Sequence, residues 1–210
     1  MVNTILAPKR DANPQKRGAA LRTALLVAAR EVFLEDGFAL ASMDAVALRA
    51  GTTKRTLYAH CRCKEDLFAE VIGASCDAIV DRLPALAELD SDPDVGLRAF
   101  LAEASAIFEA EGCAPLKRII LAEAQRHPQF VRRLSDAYAQ VEGRLATYLA
   151  DAVDDGRLAP HDTRQASRAL CDATVLAGSF RGLLGQERSS AADIENAAAS
   201  FLRDTLIAQP

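Results

Sequence analysis

Apolar residues recur at three- and four-residue intervals along almost the whole chain, which is the spacing that places them on one face of an α-helix. In the first such segment Leu25, Ala28, Ala29, Val32 and Phe33 form a single stripe. No stretch alternates apolar and polar residues for long enough to predict a β-strand. The pattern therefore predicts an all-α protein.

Residues that favour helix ends interrupt this pattern at regular points. Gly37 and Gly51 are expected to end helices, Ser42 to cap the start of one, and Pro84 to stop another. The predicted helices span about residues 18–36, 43–50, 53–60, 64–83, 95–111, 115–126, 128–153, 163–184 and 191–207.

The composition predicts a soluble, intracellular protein. The chain has 210 residues, 50% of them hydrophobic and 26% charged, which is typical of a globular protein. Its longest apolar run, Ala24 to Ala29, is too short to cross a bilayer, and no secretory signal is evident. The five cysteines are irregularly spaced, as expected for free thiols. We therefore predict a cytoplasmic protein with no membrane partner.

The charge is distributed unevenly. Residues 1–64 carry 11 Lys and Arg against 5 Asp and Glu, whereas residues 65–210 carry 14 against 24. Such an asymmetry suggests two modules with different partners, and the basic one favours a polyanion such as nucleic acid. A merely solvated basic N-terminus would give the same balance.

Residues 42–61 have the pattern of a helix, a turn and a second helix. Met43, Val46 and Ala47 provide an apolar face for the first helix, and Gly51 permits a tight turn. The second helix carries polar and basic groups around Leu57, so it has the character of a helix that enters a DNA major groove. Short helix pairs around a glycine are also common in all-α proteins, so this pattern alone does not decide the function.

The surrounding residues give this motif its context. From Leu21 to Phe68 the chain resembles the DNA-binding domain of the TetR family of bacterial transcriptional regulators. The C-terminal part resembles the AefR-like regulators, especially from Glu123 through Pro128-Gln129-Phe130 and at the Gly156-Arg157-Leu158 turn. The matching N-terminal features are Ala28-Ala29, Phe33, Gly37-Phe38, Ser42-Met43, Val46-Ala47, Ala50-Gly51, Thr53-Lys54, Thr56-Leu57-Tyr58, His60, Lys64-Glu65 and Leu67-Phe68.

The resemblance implies a ligand-responsive repressor that binds a pseudo-palindromic double-stranded operator as a homodimer. The dimer would form through the last two helices, and a small-molecule effector would release the DNA by moving the fourth helix. The implied organisation is a basic flexible arm at 1–17, a DNA-binding domain at 18–64, a connecting helix at 65–82 and a ligand-binding and dimerisation domain at 83–210.

The same resemblance implies which residues contact DNA. Lys64 is a special case, because a lysine in the first turn of a helix opposes the helix dipole and so favours an anionic partner. The arm residues Lys9, Arg10, Lys16 and Arg17 are equally consistent with a backbone contact and with a free tail. The implied DNA contacts are Ser42, Thr52, Thr53, Lys54, Arg55, Thr56, Tyr58, His60 and Lys64.

The effector pocket is expected among the C-terminal helices, with apolar walls and a few polar groups. Each candidate is also explained as ordinary helix-bundle core, which is the more frequent role for residues at this spacing. The candidates are Phe100, Ile107, Phe108, Ile120, Glu123, Phe130, Tyr138, Thr174 and Phe180.

Two departures from the family pattern leave alternatives open. Cys61 and Cys63 stand where the family usually has an aromatic and a capping residue, so a thiol- or metal-sensing variant is one alternative. A helical adaptor without a DNA role is another. We predict that the chain is not an enzyme and has no cofactor, catalytic residue or metal, since no phosphate-binding glycine loop, metal-ligand spacing or nucleophile elbow is present.

Overall fold

A computed structural model of the chain describes residues 14–110, 113–186 and 189–207. It is 78% helical, and the described residues contain no strand, so the all-α prediction is confirmed. A single β-type pairing, between Leu158 and Leu206, is found in these ranges. The helices are α1 (Pro14–Leu40), α2 (Met43–Arg49), α3 (Lys54–His60), α4 (Lys64–Val80), α5 (Pro93–Phe108), α6 (Cys113–Ala122), α7 (Pro128–Asp154), α8 (Thr163–Cys171), α9 (Ala177–Leu183) and α10 (Ala191–Thr205).

The chain forms two compact units, the first reaching Val71 and the second beginning at Ile72. Helix α4 therefore contributes residues to both. The domain boundaries expected from the sequence come from the family resemblance, whereas these two units are defined by compactness. The expected boundaries therefore remain predictions.

In the first unit, three phenylalanine rings form the centre of the core. Phe33 lies 4.6 Å from Phe68 and Phe38 lies 5.2 Å from Phe68, measured between ring centroids. Leu57 of α3 is fully buried and anchors that short helix. At Gly37 the backbone has φ 72°, a conformation that glycine adopts at little cost, so the chain turns there before α2.

The start of α1 differs from the prediction. The helix begins at Pro14 instead of about residue 18, because proline is well tolerated in the first helical turn and Gln15, Lys16 and Arg17 are good helix formers. Residues 14–17 therefore belong to α1, and the flexible arm expected over residues 1–17 remains a prediction. Lys9 and Arg10 lie outside the described residues.

The second unit buries an apolar core that includes Phe100, Leu101 and Phe130. The helix predicted over 163–184 is present, but Asp172–Leu176 adopts a π-helical turn between α8 and α9. A π-turn widens the helix locally, and such turns often lie at functional sites. In the described ranges, no helix has the length and apolar character needed to cross a membrane.

Candidate nucleic-acid interface and ligand cavity

The helix-turn-helix is positioned by two side-chain caps, of which the sequence predicted the one at Ser42. Ser42 Oγ accepts a hydrogen bond from the Ala45 N–H at 3.1 Å, and Thr53 Oγ1 accepts one from the Thr56 N–H at 3.2 Å. Gly51 has φ 63°, so the turn between α2 and α3 uses the conformation expected of glycine. Thr53 and Thr56 also share a hydrogen bond between their hydroxyl oxygens at 2.9 Å, which fixes both side chains at the start of α3.

Helix α3 presents its polar residues to solvent. Arg55 and His60 are exposed, and Tyr58 retains 45% of its maximal exposure. Lys54 is exposed and pairs with Asp44 at 2.9 Å, and this partner raises the pKa of Lys54. An exposed pair of this kind contributes little to stability, so Lys54 can exchange Asp44 for a phosphate at low cost.

Arg62 belongs with these exposed groups, although the sequence analysis did not select it. It is exposed in the turn before α4, and within the described residues no carboxylate pairs with it or with Arg55. Arg49, in contrast, pairs with Glu35 at 2.6 Å. The basic stretch from Lys54 to Lys64 was the available signal for Arg62.

Lys64 has a role different from the predicted phosphate contact. Its Nζ donates to the carbonyl oxygens of Phe38 at 2.7 Å, Ala39 at 3.0 Å and Ala41 at 3.1 Å, and it lies 4.8 Å from the centre of the Phe38 ring. An ammonium group has three hydrogens, and these three bonds use all of them. Lys64 therefore caps the carbonyl end of α1, which is a favourable place for a cation.

The two cysteines beside α3 have structural contacts. Cys61 is buried, its thiol donates to the Leu57 carbonyl at 3.4 Å, and burial raises its pKa to about 11. Cys63 Sγ accepts from the Asp66 N–H at 3.5 Å and so caps α4. Thiols need a lowered pKa to react readily, so the raised pKa of Cys61 gives no support to the thiol-sensing alternative. Among the described residues, no three His, Cys, Asp or Glu side chains lie together as metal ligands would.

The predicted effector residues are mostly distributed through the core of the second unit. Glu123 is 9% exposed, and its Oε2 lies 3.9 Å from Arg126 Nη1. Phe180 is 58% exposed and faces outward from α9, while the adjacent Ser179 faces inward, so its predicted place in a pocket wall remains a prediction. The buried members of the set are Phe100, Ile107, Phe108, Ile120, Glu123, Phe130 and Thr174.

A cavity of about 330 Å³ lies between the end of α5, the start of α6 and the end of α9. Of the predicted residues only Phe108 lines it, while Tyr138 reaches its edge by donating to Ser179 Oγ at 2.7 Å. Sequence reasoning missed Glu109, Lys117 and Ser179. The signal for Lys117 was its place on the apolar stripe of α6, beside Leu116 and Ile120.

Lys117 is the most unusual group in this cavity. It is only 4% exposed, its Nζ donates to the Phe108 carbonyl at 3.0 Å and to Ser179 Oγ, and it lies 5.3 Å from the centre of the Phe108 ring. Burial lowers its pKa, because desolvation disfavours the ammonium form. Burial also raises the pKa of Tyr138 to about 12, so that phenol is protonated at neutral pH and donates its hydrogen bond.

Comparison with known proteins agrees with the capped helix-turn-helix and the helical second unit. Residues 25–71 match the model of bacterial regulatory proteins of the tetR family, and residues 95–206 match the C-terminal domain of AefR-like transcriptional repressors. The chain belongs to the TetR family of DNA-binding transcriptional regulators.

Individual relatives support this assignment. The HTH-type transcriptional regulator UidR of Escherichia coli K12 is 33% identical over 167 residues, which cover 77% of this chain and 82% of UidR. The structure of the flavonoid-responsive regulator FrrA is 29% identical, with a TM-score of 0.74 over 90% of this chain and 98% of FrrA. A TetR-family regulator from Mesorhizobium loti has the same fold, at 24% identity and a TM-score of 0.78 over 91% of this chain and 99% of that one.

Proposed function

We propose that the chain is a ligand-responsive repressor that binds a pseudo-palindromic DNA operator as a homodimer and leaves it when a small effector binds the second unit. The observation that carries this proposal is α3, whose only fully buried side chain is Leu57 and whose basic and hydroxyl groups face solvent. A helix fixed by one apolar anchor leaves its remaining faces free for a major groove.

The proposed DNA contacts follow from exposure and from the partners each residue already has. Arg55, Tyr58 and His60 are exposed on α3, and Lys54 is held only by a surface ion pair. Ser42, Thr52, Thr53 and Thr56 lie at the helix starts, where hydroxyl groups and backbone N–H groups contact phosphates in other DNA-binding proteins. Lys64 is left out of this set because its hydrogens are used within the protein.

The homodimer is proposed to form through the last two helical segments, the one from α8 to α9 and α10. Leu176, Phe180 and Leu184 are 43%, 58% and 59% exposed, and their spacing of four residues places them on one side of the π-turn and α9. Large apolar side chains exposed together mark interaction surfaces, and dimer interfaces with two-fold symmetry use the same patch on both subunits.

Repression and effector release are proposed from the relatives. The AefR-like match is to a family of transcriptional repressors, and the relative FrrA is described as flavonoid-responsive. The cavity at the end of α5 gives this chain a place for a small effector.

The decisive experiment measures DNA binding by fluorescence anisotropy, using duplex DNA from the region upstream of the chain's own gene. We expect specific binding whose logarithm falls steeply with the logarithm of salt concentration, as counterions are released from phosphates. Tyr58→Phe removes only the hydroxyl and should weaken specific binding without changing helicity.

The matched control is Arg132→Gln, which removes a charge from an exposed position of α7. Equal affinity for unrelated DNA, or no effect of replacing Lys54, Arg55 and Tyr58, would favour the adaptor alternative. Sedimentation analysis tests the dimer: Phe180→Glu should give a monomer, while Leu121→Glu, at an exposed leucine of α6, should not.

A further inference from the structure

The basic side chains of the first unit differ in whether they already have a carboxylate partner. Arg22 of α1 pairs with Glu70 at 3.1 Å, and Arg49 of α2 pairs with Glu35 at 2.6 Å. Arg62, in the turn between α3 and α4, is exposed and forms no ion pair or hydrogen bond with any described residue. This turn lies in the middle of the range 14–110, which is described without a gap. The charge of Arg62 therefore remains available to a polyanion.

Lys64, the neighbouring cation at the start of α4, is not available in the same way. Its three hydrogens are donated to the carbonyl oxygens of Phe38, Ala39 and Ala41. If Lys64 moved to a phosphate, the carbonyl end of α1 would lose all three of these donors. The cation that is available between α3 and α4 is therefore Arg62, two residues earlier in the chain.

The backbone on both sides of Arg62 is held in place. Before it, the buried Cys61 donates its N–H to the Leu57 carbonyl oxygen at 3.1 Å. After it, the Cys63 carbonyl oxygen accepts from the Leu67 N–H at 3.2 Å. Binding costs less conformational entropy when the backbone is already ordered, because only the rotamers of the side chain have to be fixed. The turn thus presents a free guanidinium group from a fixed position.

Arg62 also lies close to the exposed end of α3. His60 is the last residue of that helix and is exposed. Two residues of extended chain span at most about 7 Å, so the Cα atoms of His60 and Arg62 lie within that distance of each other. Successive phosphates of one DNA strand are about 3.4 Å apart along the helix axis. When α3 lies in a major groove, the Arg62 side chain can therefore reach the backbone at the edge of the groove.

The guanidinium group is well suited to a phosphate. It is planar and always charged, and it can donate two parallel N–H groups to two phosphate oxygens. We propose that Arg62 binds a phosphate of the DNA backbone beside the groove that α3 occupies, and that it supplies the cationic contact expected of Lys64. This inference rests on the proposed function, because it adds a contact to the same DNA interface. The contact contributes affinity and orientation without reading the base sequence.

The test measures the fluorescence anisotropy of labelled DNA with the full chain at several salt concentrations. Two duplexes of equal length are used, one from the region upstream of the chain's own gene and one of unrelated sequence. Arg62→Gln should weaken binding to both duplexes about fivefold at low salt, because a phosphate contact does not depend on base sequence. The slope of log affinity against log salt should become shallower by about one for each bound chain.

Two further variants separate a phosphate contact from a general effect of charge or of folding. Arg62→Lys keeps the positive charge and should restore the slope, with only part of the affinity, because an ammonium group does not bind a phosphate bidentately. Arg22→Gln removes the same charge from an exposed position of α1 and should leave the slope unchanged. Circular dichroism and thermal melting should be the same for Arg62→Gln and the unmodified chain, since the side chain is exposed.

A third measurement locates the contact on the DNA. The upstream duplex is prepared as a series in which a single phosphate is replaced by an uncharged methylphosphonate. At one backbone position in each half-site, the replacement should weaken binding of the unmodified chain but should add nothing to the loss caused by Arg62→Gln. A role of Arg62 in folding alone would give additive losses at every position.

Unchanged affinity and slope for Arg62→Gln on both duplexes would overturn the inference, and so would additive losses at every methylphosphonate position. A loss confined to the upstream duplex, with an unchanged slope, would indicate a base contact and would also overturn it. Failure of the proposed function gives a different result, namely equal affinity of the unmodified chain for the two duplexes, on which the effect of Arg62→Gln can still be measured. Binding to neither duplex would overturn both.

Discussion

The two units place their polar chemistry in opposite ways. All six of the buried polar or charged side chains in the described part of the chain, Lys117 and Ser179 among them, lie in the second unit. In the first unit the described polar groups of α3 face solvent around an apolar core. This difference fits the proposed partners, because a rigid polyanion is met at a surface, whereas a small molecule is recognised where water is excluded.

The largest effect is expected from the apolar core of the first unit. Phe68→Ala should lower the free energy of unfolding by about 3–5 kcal/mol, because the ring is fully buried against Phe33 and Phe38 and a cavity would remain. Urea unfolding measures the change. The control is Val27→Ala at an exposed position, which should change the free energy of unfolding by no more than about 0.5 kcal/mol. If Val27→Ala lowered it as much as Phe68→Ala, the difference in burial between the two side chains would be contradicted.

Substitution of Lys64 tests whether its ammonium group stabilises the first unit by binding main-chain carbonyls. Lys64→Met removes three hydrogen bonds to main-chain carbonyls, so we expect a loss of about 1–3 kcal/mol in unfolding free energy. The salt dependence of DNA binding should keep its slope, since no phosphate contact is lost. A stable variant with a reduced salt slope would restore the phosphate role.

Arg55 tests the outer surface of the same unit. Arg55→Gln should weaken operator binding about tenfold and reduce the salt slope by about one if the side chain contacts a phosphate. Stability should be unchanged, because the side chain is exposed and no described carboxylate pairs with it. Anisotropy titrations at several salt concentrations measure both quantities. An unchanged affinity would remove Arg55 from the interface.

Thr53 tests how far the stability of α3 depends on its cap. Thr53→Ala should cost about 1 kcal/mol of stability, since the Thr56 N–H loses its acceptor. Thr53→Ser keeps a hydroxyl at the same place and should restore most of the loss. Equal stabilities of the alanine and serine variants would show that the cap contributes nothing.

The smallest expected effect is on the pH dependence of stability, and it comes from the buried Lys117 of the second unit. Because burial lowers the pKa of Lys117 below 10.5, the folded chain releases this proton at a lower pH than the unfolded chain does. Between the two pKa values the unfolded state binds more protons, so this group makes the protein more stable as the pH rises. Lys117→Met should remove that contribution, which urea unfolding at several alkaline pH values detects as a difference between the two proteins. Parallel pH profiles would contradict it.

Much of the fold could be predicted because its signals are local. The caps at Ser42, Thr53 and Ser190 act on backbone groups within three residues, and the glycine at position 51 has the positive φ that its turn requires. The start of α1 and the π-turn at Asp172–Leu176 were not predicted. Helix propensity varies little along such segments, so it marks neither the first residue of a helix nor a π-turn within one.

The sequence by itself determined the helices, the helix-turn-helix and the basic character of α3, because each depends on residues a few positions apart. Only the tertiary structure decided the role of Lys64, which reaches a carbonyl 26 residues away, and the pairing of Lys117 with Ser179, 62 residues apart. Helical periodicity states which face of a helix is buried. It does not state which distant group lies opposite, and that partner decides whether a charge contacts a phosphate, closes a helix or lines a cavity.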